Sequence, residues 1–130
     1  MWANQTILIS KGKPMDAKLK TYFDQEIAKA ILLIKNKNIE EGFYHLERAH
    51  ILGQRYVVAH VKTHWWMLKV GLMKKSTTEV FGQMIRIVFG ALGSVIGVVP
   101  FGNTGGANVS MFSPMPIPQD LKSIINTKEI

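Results

Sequence analysis

The stretch ERAHILGQRYVVAHVKTHWWML, residues 47–68, decides how the chain is folded. As one uninterrupted helix it would leave His50 and His64 about 21 Å apart along the axis. As two helices joined at Gly53-Gln54 it becomes an antiparallel hairpin. His50 then lies about one turn before the reversal and His60 under about two turns after it, at similar heights. Gly53 is a plausible C-terminal stop. The reading therefore expects one helix to end at Gly53 and another to run from Tyr56 to about Val70.

On the N-terminal side, Leu19, Phe23, Ile27, Ile31 and Ile34 recur at helical spacing from Asp16 to about Lys35, the mark of an amphipathic helix. Asn36-Lys37-Asn38 is a turn. Asn38 and Glu41 then have capping-box spacing and open a second helix with Ile39, Phe43, Leu46 and Ala49/His50 on one stripe. The third helix offers Val57, Val61, Trp65 and Leu68 as its apolar ridge. Ser76-Thr77-Thr78-Glu79 repeats the capping-box spacing, and Val80, Phe81, Met84, Ile85, Val88, Phe89 and Leu92 carry a fourth helix towards Gly97 before Pro100 stops it. Short connections make these helices antiparallel neighbours. The expected fold is all-α, a compact bundle of about four antiparallel helices with an extended Gly/Pro-rich C-terminal tail. Residues 1–14 read as an N-terminal arm, 15–100 as the helical domain, and 101–130 as loop and tail packing on it.

The chain has 130 residues and 47% hydrophobic content, enough for one packed core, and no cysteine, which removes disulfides and thiolate ligands. No signal segment is evident in MWANQTILISKGKP, so a cytoplasmic protein is expected. The net charge of +7 raises nucleic acid or an anionic membrane as partners. The lysines are dispersed and no nucleic-acid motif accompanies them, so a solvated basic surface is favoured over nucleic acid. VFGQMIRIVFGALGSVIGVVPF is apolar, but Gln83 and Arg86 interrupt it and the remainder is short of the roughly 20 residues of a span. A buried helix is expected, with peripheral membrane contact as the second choice. Gly93 and Gly97 would allow close backbone approach. Met67, Met73 and Met84 read as gap-fillers rather than copper ligands.

All four histidines fall between residues 45 and 64. His60 and His64 are four apart and share a helix face, as do Glu47 and His50, three apart. If the chain reverses at Gly53-Gln54, Glu47, His50, His60 and His64 converge as three neutral nitrogens and one carboxylate, a ligand set suited to zinc or another first-row divalent ion. His45 points about 140° away from His50 and is left out. A packed core with hydrogen-bonded histidines and no metal fits the same spacing. Glu26 is the nearest candidate for a second carboxylate should the site be catalytic. GNTGGANVS, residues 102–110, lacks the phosphate-loop pattern and reads as a structural loop in which Gly105-Gly106 take positive φ and Asn103 and Asn108 bond locally.

Two resemblances add to this. AKAILLIKNK followed by NIEEGFYHLERAHIL resembles a single tetratricopeptide-type helical pair over residues 28–52, which implies a helix–turn–helix packing unit and a peptide-binding scaffold. LERAHILGQ, the H-x-x-x-H-W motif, GNTGGANVS and PMPIP together resemble a family of short bacterial proteins whose function is not established. That resemblance implies a one-domain helical protein and a shared role for Glu47, His50, His60, His64 and the loop around Asn103 to Asn108.

The leading expectation is a small soluble helical protein that binds a transition metal through Glu47, His50, His60 and His64, with a metal-handling role. The alternative is a helical protein-interaction module, or a homo-oligomer, with buried histidines and no metal. A metal-dependent hydrolase or oxygen-using enzyme with Glu26 or Glu47 as base is weaker, and an enzyme is not the favoured reading.

Overall fold

The computed structural model describes residues 6–8, 14–96, 98–100 and 102–125. Most of the N-terminal arm, and Gly97, lie outside them. The chain runs β1 (Thr6–Leu8), α1 (Ala17–Lys35), α2 (Ile39–Gly53), α3 (Val57–Met73), α4 (Thr77–Ile96), β2 (Val98–Pro100) and α5 (Gln119–Lys122). The expected all-α bundle is present. Four long helices pack in sequence order, α1 on α2, α2 on α3 and α3 on α4. The three-residue strands pair antiparallel, with Ile7 opposite Val99.

Asp16 caps α1 by accepting from the Leu19 amide at 2.9 Å. α1 closes in a left-handed turn at Lys37 (φ 65°), with Asn38 N donating to Leu33 O at 2.9 Å and Lys37 N to Ile34 O at 3.1 Å. α3 ends the same way at Lys75 (φ 53°), where Ser76 N donates to Gly71 O at 3.0 Å and Lys75 N to Leu72 O at 3.1 Å. Each turn satisfies carbonyls orphaned at its helix end. Ser76 then caps α4 through the Glu79 amide at 3.2 Å. The expected box at Asn38 takes another form: Asn38 Nδ2 donates to the Glu41 carboxylate at 2.7 Å, so the two side chains bond each other rather than the backbone.

The reversal after α2 occurs where expected, but Gly53 serves it differently from a positive-φ stop. A Cβ there would lie 2.7 Å from the Phe23 ring and 2.9 Å from the Ala59 Cβ, so the residue is small to let α1 and α3 close on it. Leu19, Phe23, Ile27, Ala30 and Ile34 of α1 meet Leu46, Ala49, Ile51 and Leu52 of α2, joined by Met67 and Val70 of α3 and by Leu121 and Ile125 from the tail. Each large side chain buried here contributes roughly 1.5–3 kcal/mol. Glu26, 7% exposed, is held by His45 at 2.5 Å and Arg48 at 2.9 Å. Arg48 also reaches Asp120 at 2.6 Å, which ties α5 to the α1–α2 pair.

Two expected apolar faces are corrected. The inward ridge of α3 is Ala59, His60, Thr63, His64, Met67 and Val70, while Trp65 is half exposed. On α4, Phe81, Met84, Val88, Phe89 and Leu92 all point to solvent, and Gln83 and Arg86 are buried. Met67 fills the core as expected, but Met73 and Met84 are exposed. The reason is the polar centre between these helices, which takes the inward positions.

Candidate metal centre

Two helices deliver three imidazoles to one point. α2 brings His50 one turn before it ends, and α3 starts by returning His60 and His64 on its inner face, all three at most 5% exposed. Their ring centroids form a near-equilateral triangle of 4.7, 4.7 and 4.8 Å. His64 Nε2 lies 3.1 Å from His50 Nε2 and 3.0 Å from His60 Nε2. One ring nitrogen from each histidine falls within 4.8 Å of the other two. Four-coordinate tetrahedral ligation with metal–nitrogen bonds near 2.0–2.1 Å would set nitrogens about 3.3 Å apart, close to the two short separations.

The protonation of two rings follows from what lies behind them. His50 Nδ1 sits 2.6 Å from the main-chain oxygen of Asn103, which can only accept, so Nδ1 carries the hydrogen. His64 Nδ1 sits 2.6 Å from Gln83 Oε1. The Gln83 amide is fixed because its nitrogen donates to Glu79 at 2.7 Å and to the Gly105 carbonyl at 3.0 Å, leaving its oxygen to accept from His64. Both Nε2 atoms are therefore bare while the rings are neutral, and they face each other at 3.1 Å. Neutrality is enforced by burial. Desolvation, then the neighbouring His64, holds His60 at about 3. Desolvation, partly offset by the Gln83 bond, holds His64 at about 4. His50 is pushed well down by desolvation, then by its two histidine neighbours.

Glycines make room for the rings. A Cβ at Gly90 of α4 would stand 3.0 Å from His60 Cε1, and one at Gly105 would stand 2.7 Å from His50 Cδ2. Gly105 also holds φ +83°, inside a turn where Asn103 Oδ1 accepts its amide at 2.9 Å. Asn103 Nδ2 fastens the far side of the loop through Ser110 O at 2.7 Å and Ser113 O at 2.8 Å. The expected local bonding of Asn103 is present. Positive φ falls at Gly102 and Gly105 rather than at Gly105-Gly106.

Of the four expected ligands, His50, His60 and His64 converge and Glu47 is not in their group. Glu47 is half-buried, and its carboxyl is raised by burial and by the charge of Glu79. Glu26, considered as a base, is instead committed to His45 and Arg48. Arg86, 8% exposed, lies near enough to lower His50 and His64 electrostatically, and it bonds the carbonyls of Gly82 and Val109. Sequence reasoning missed Gln83 and Gly90 as parts of this centre, and only the family resemblance tied the loop that holds Gly105 to the histidines. Its available signal was a lone amide and a lone guanidinium in an otherwise apolar helix.

Fold and site together define a small helical-bundle protein with three buried, converging histidines that could hold a metal ion. The chain belongs to the family described as Protein of unknown function (DUF3703), which matches residues 17–125. No curated protein and no solved structure matches it.

Proposed function

We propose that the protein binds one transition-metal ion, zinc foremost, through the Nε2 atoms of His50, His60 and His64, and serves in metal handling. The observation that carries this reading is the pair of back-side hydrogen bonds. Asn103 and Gln83 fix the Nδ1–H tautomers and leave bare lone pairs on His50 and His64 aimed at each other, an arrangement relieved by a cation between them. Metal-ligating histidines are oriented by such outer bonds, and neutral imidazole is the form that binds. Three nitrogens leave a fourth position for water or for a carboxylate. Glu47, one turn from His50, is the proposed occupant if its side chain swings in.

The test is elemental analysis of protein purified without a histidine tag, together with cobalt titration followed by its visible absorption. One equivalent of metal is expected, lost in the His60→Ala/His64→Ala variant. Gln83→Leu keeps all three ligands and is expected to weaken binding roughly 10–100-fold. Glu47→Gln weakens binding only if Glu47 completes the shell. Absence of stoichiometric metal, with no change in melting on adding zinc, would sink the proposal.

A further inference from the structure

α4 lies with its polar side inward. Gln83 is fully buried and Arg86 nearly so, while Phe81, Met84, Val88, Phe89 and Leu92 are 53–67% exposed and Ile85 is half-buried. Phe81, Ile85, Val88 and Leu92 follow the 4-3-4 spacing of a heptad seam, the pattern by which one helix packs along another. The opposite face of α4 meets α3, with Gln83 on His64 and Gly90 against His60, so α3 does not cover the seam. A contiguous exposed apolar surface of this kind marks an interaction site.

The face carries no charge. The only charged residues of α4 are Glu79 and Arg86. Glu79 bonds Gln83 and the Ala107 amide, and Arg86 bonds the carbonyls of Gly82 and Val109, so both are turned from the seam. A charged partner finds nothing there to recognise, whereas an equally apolar helix does. The seam also fits itself. Two copies of α4 laid antiparallel, with the two-fold axis level with the Arg86–Ile87 peptide bond, bring Phe81 of each opposite Leu92 of the other, and Ile85 opposite Val88. The rings then meet leucines at the two ends, and the β-branched pairs occupy the middle. Met84 and Phe89 each meet their own counterpart along the flanks, as an isologous antiparallel contact requires. The five exposed side chains offer on the order of 500 Å² per copy, so the pair covers about 1,000 Å², the size at which a specific interface begins.

We propose that the outward face of α4 is a homodimer interface, in which the seams of two copies pack antiparallel with Phe81 on Leu92 and Ile85 on Val88. At this size the dissociation constant is on the order of micromolar. Dilute protein is then monomeric with the stripe bare, so substitutions there leave its unfolding unchanged. The histidine centre lies on the other side of α4, and dimerisation and metal binding are independent claims.

Sedimentation of the full chain across the micromolar range, with a chelator present, tests this. A concentration-dependent dimer is expected, and it should tighten as salt rises, because two chains of net charge +7 repel each other and salt screens that repulsion. Phe81→Lys and Leu92→Glu should each weaken self-association at least about tenfold. Both side chains are exposed in the single chain, so the thermal melt of dilute protein should not move. Mixed in equal amounts, the two variants should pair at least about tenfold more tightly than either does alone. In the antiparallel register the lysine of one faces the glutamate of the other, and the remaining Leu92 faces the remaining Phe81. A chain that stays monomeric would overturn the proposal, as would a dimer that dissociates at high salt. A dimer untouched by either variant would place the contact on another face, and a mixture that gains nothing would rule out the antiparallel pairing; either outcome defeats the assignment.

Discussion

The two helical hairpins of this bundle are closed by the same turn and face opposite ways. α1–α2 turns at Lys37 and α3–α4 at Lys75, with matching hydrogen bonds at both ends. In α1–α2 the apolar stripe Leu19, Phe23, Ile27, Ala30 and Ile34 is inside, and the lysines and most carboxylates are outside. In α3–α4 the inside holds His60, Thr63, His64, Gln83 and Arg86 beside Met67 and Val70, and Phe81, Met84, Val88, Phe89 and Leu92 of α4 are outside. Periodicity makes a helix but does not choose the face that turns inward. In the second hairpin the choice is made by a polar network in which each group is held by the next, from Glu79 through Gln83 to His64.

The sharpest way to break this comparison is to make the same substitution in both hairpins. Phe23, 3% exposed, and Phe81, 67% exposed, are each changed to alanine. Phe23→Ala should cost about 3–5 kcal/mol in urea denaturation, since it leaves a cavity against Gly53. Phe81→Ala should stay within about 0.5 kcal/mol. Equal costs would mean that Phe81 is covered in solution.

The helices themselves were legible: Asp16 to Lys35, the turn at Asn36–Asn38 and the reversal after Gly53 all follow from spacing and capping residues. So was the convergence of His50 with His60 and His64, because a turn at Gly53 leaves them few other places to go. The outward face of α4 was not legible. Its apolar residues repeat as a core stripe would, and only Gln83 and Arg86 mark the opposite side. Nor could local spacing show that the main-chain oxygen of Asn103, 53 residues from His50, would fix its tautomer. That contact belongs to tertiary packing, where a carbonyl of any residue type can serve.

The acid limit probes the polar interior directly. In the unfolded chain a histidine titrates near 6.5, whereas His60 is held at about 3 and His64 at about 4. Below pH 6.5 the unfolded state therefore takes up protons that the folded state refuses. Stability is fully present above that pH and declines as pH falls towards the folded values. The loss amounts to about 1.4 kcal/mol for each such histidine by pH 5.5. Urea denaturation of metal-free protein between pH 7.5 and 5 should show this slope, reduced in His64→Gln. A flat profile would mean that the three rings are solvated rather than buried and neutral, and the opposition between the hairpins would lose its cause.

The smallest expected effect lies in the feature that the hairpins share. Lys37 and Lys75 hold left-handed backbone at φ 65° and 53°, positions where glycine closes a helix without a Cβ clash. That conformation costs a non-glycine residue about 1–2 kcal/mol. Glycine loses about 0.5–1 kcal/mol more chain entropy on folding. Lys37→Gly and Lys75→Gly should therefore each gain about 0.5 kcal/mol, read as a small rise in the denaturation midpoint. Equal gains are expected because the two turns have the same hydrogen bonds. Unequal gains would mean that the opposed packing of the two hairpins reaches into their turns as well.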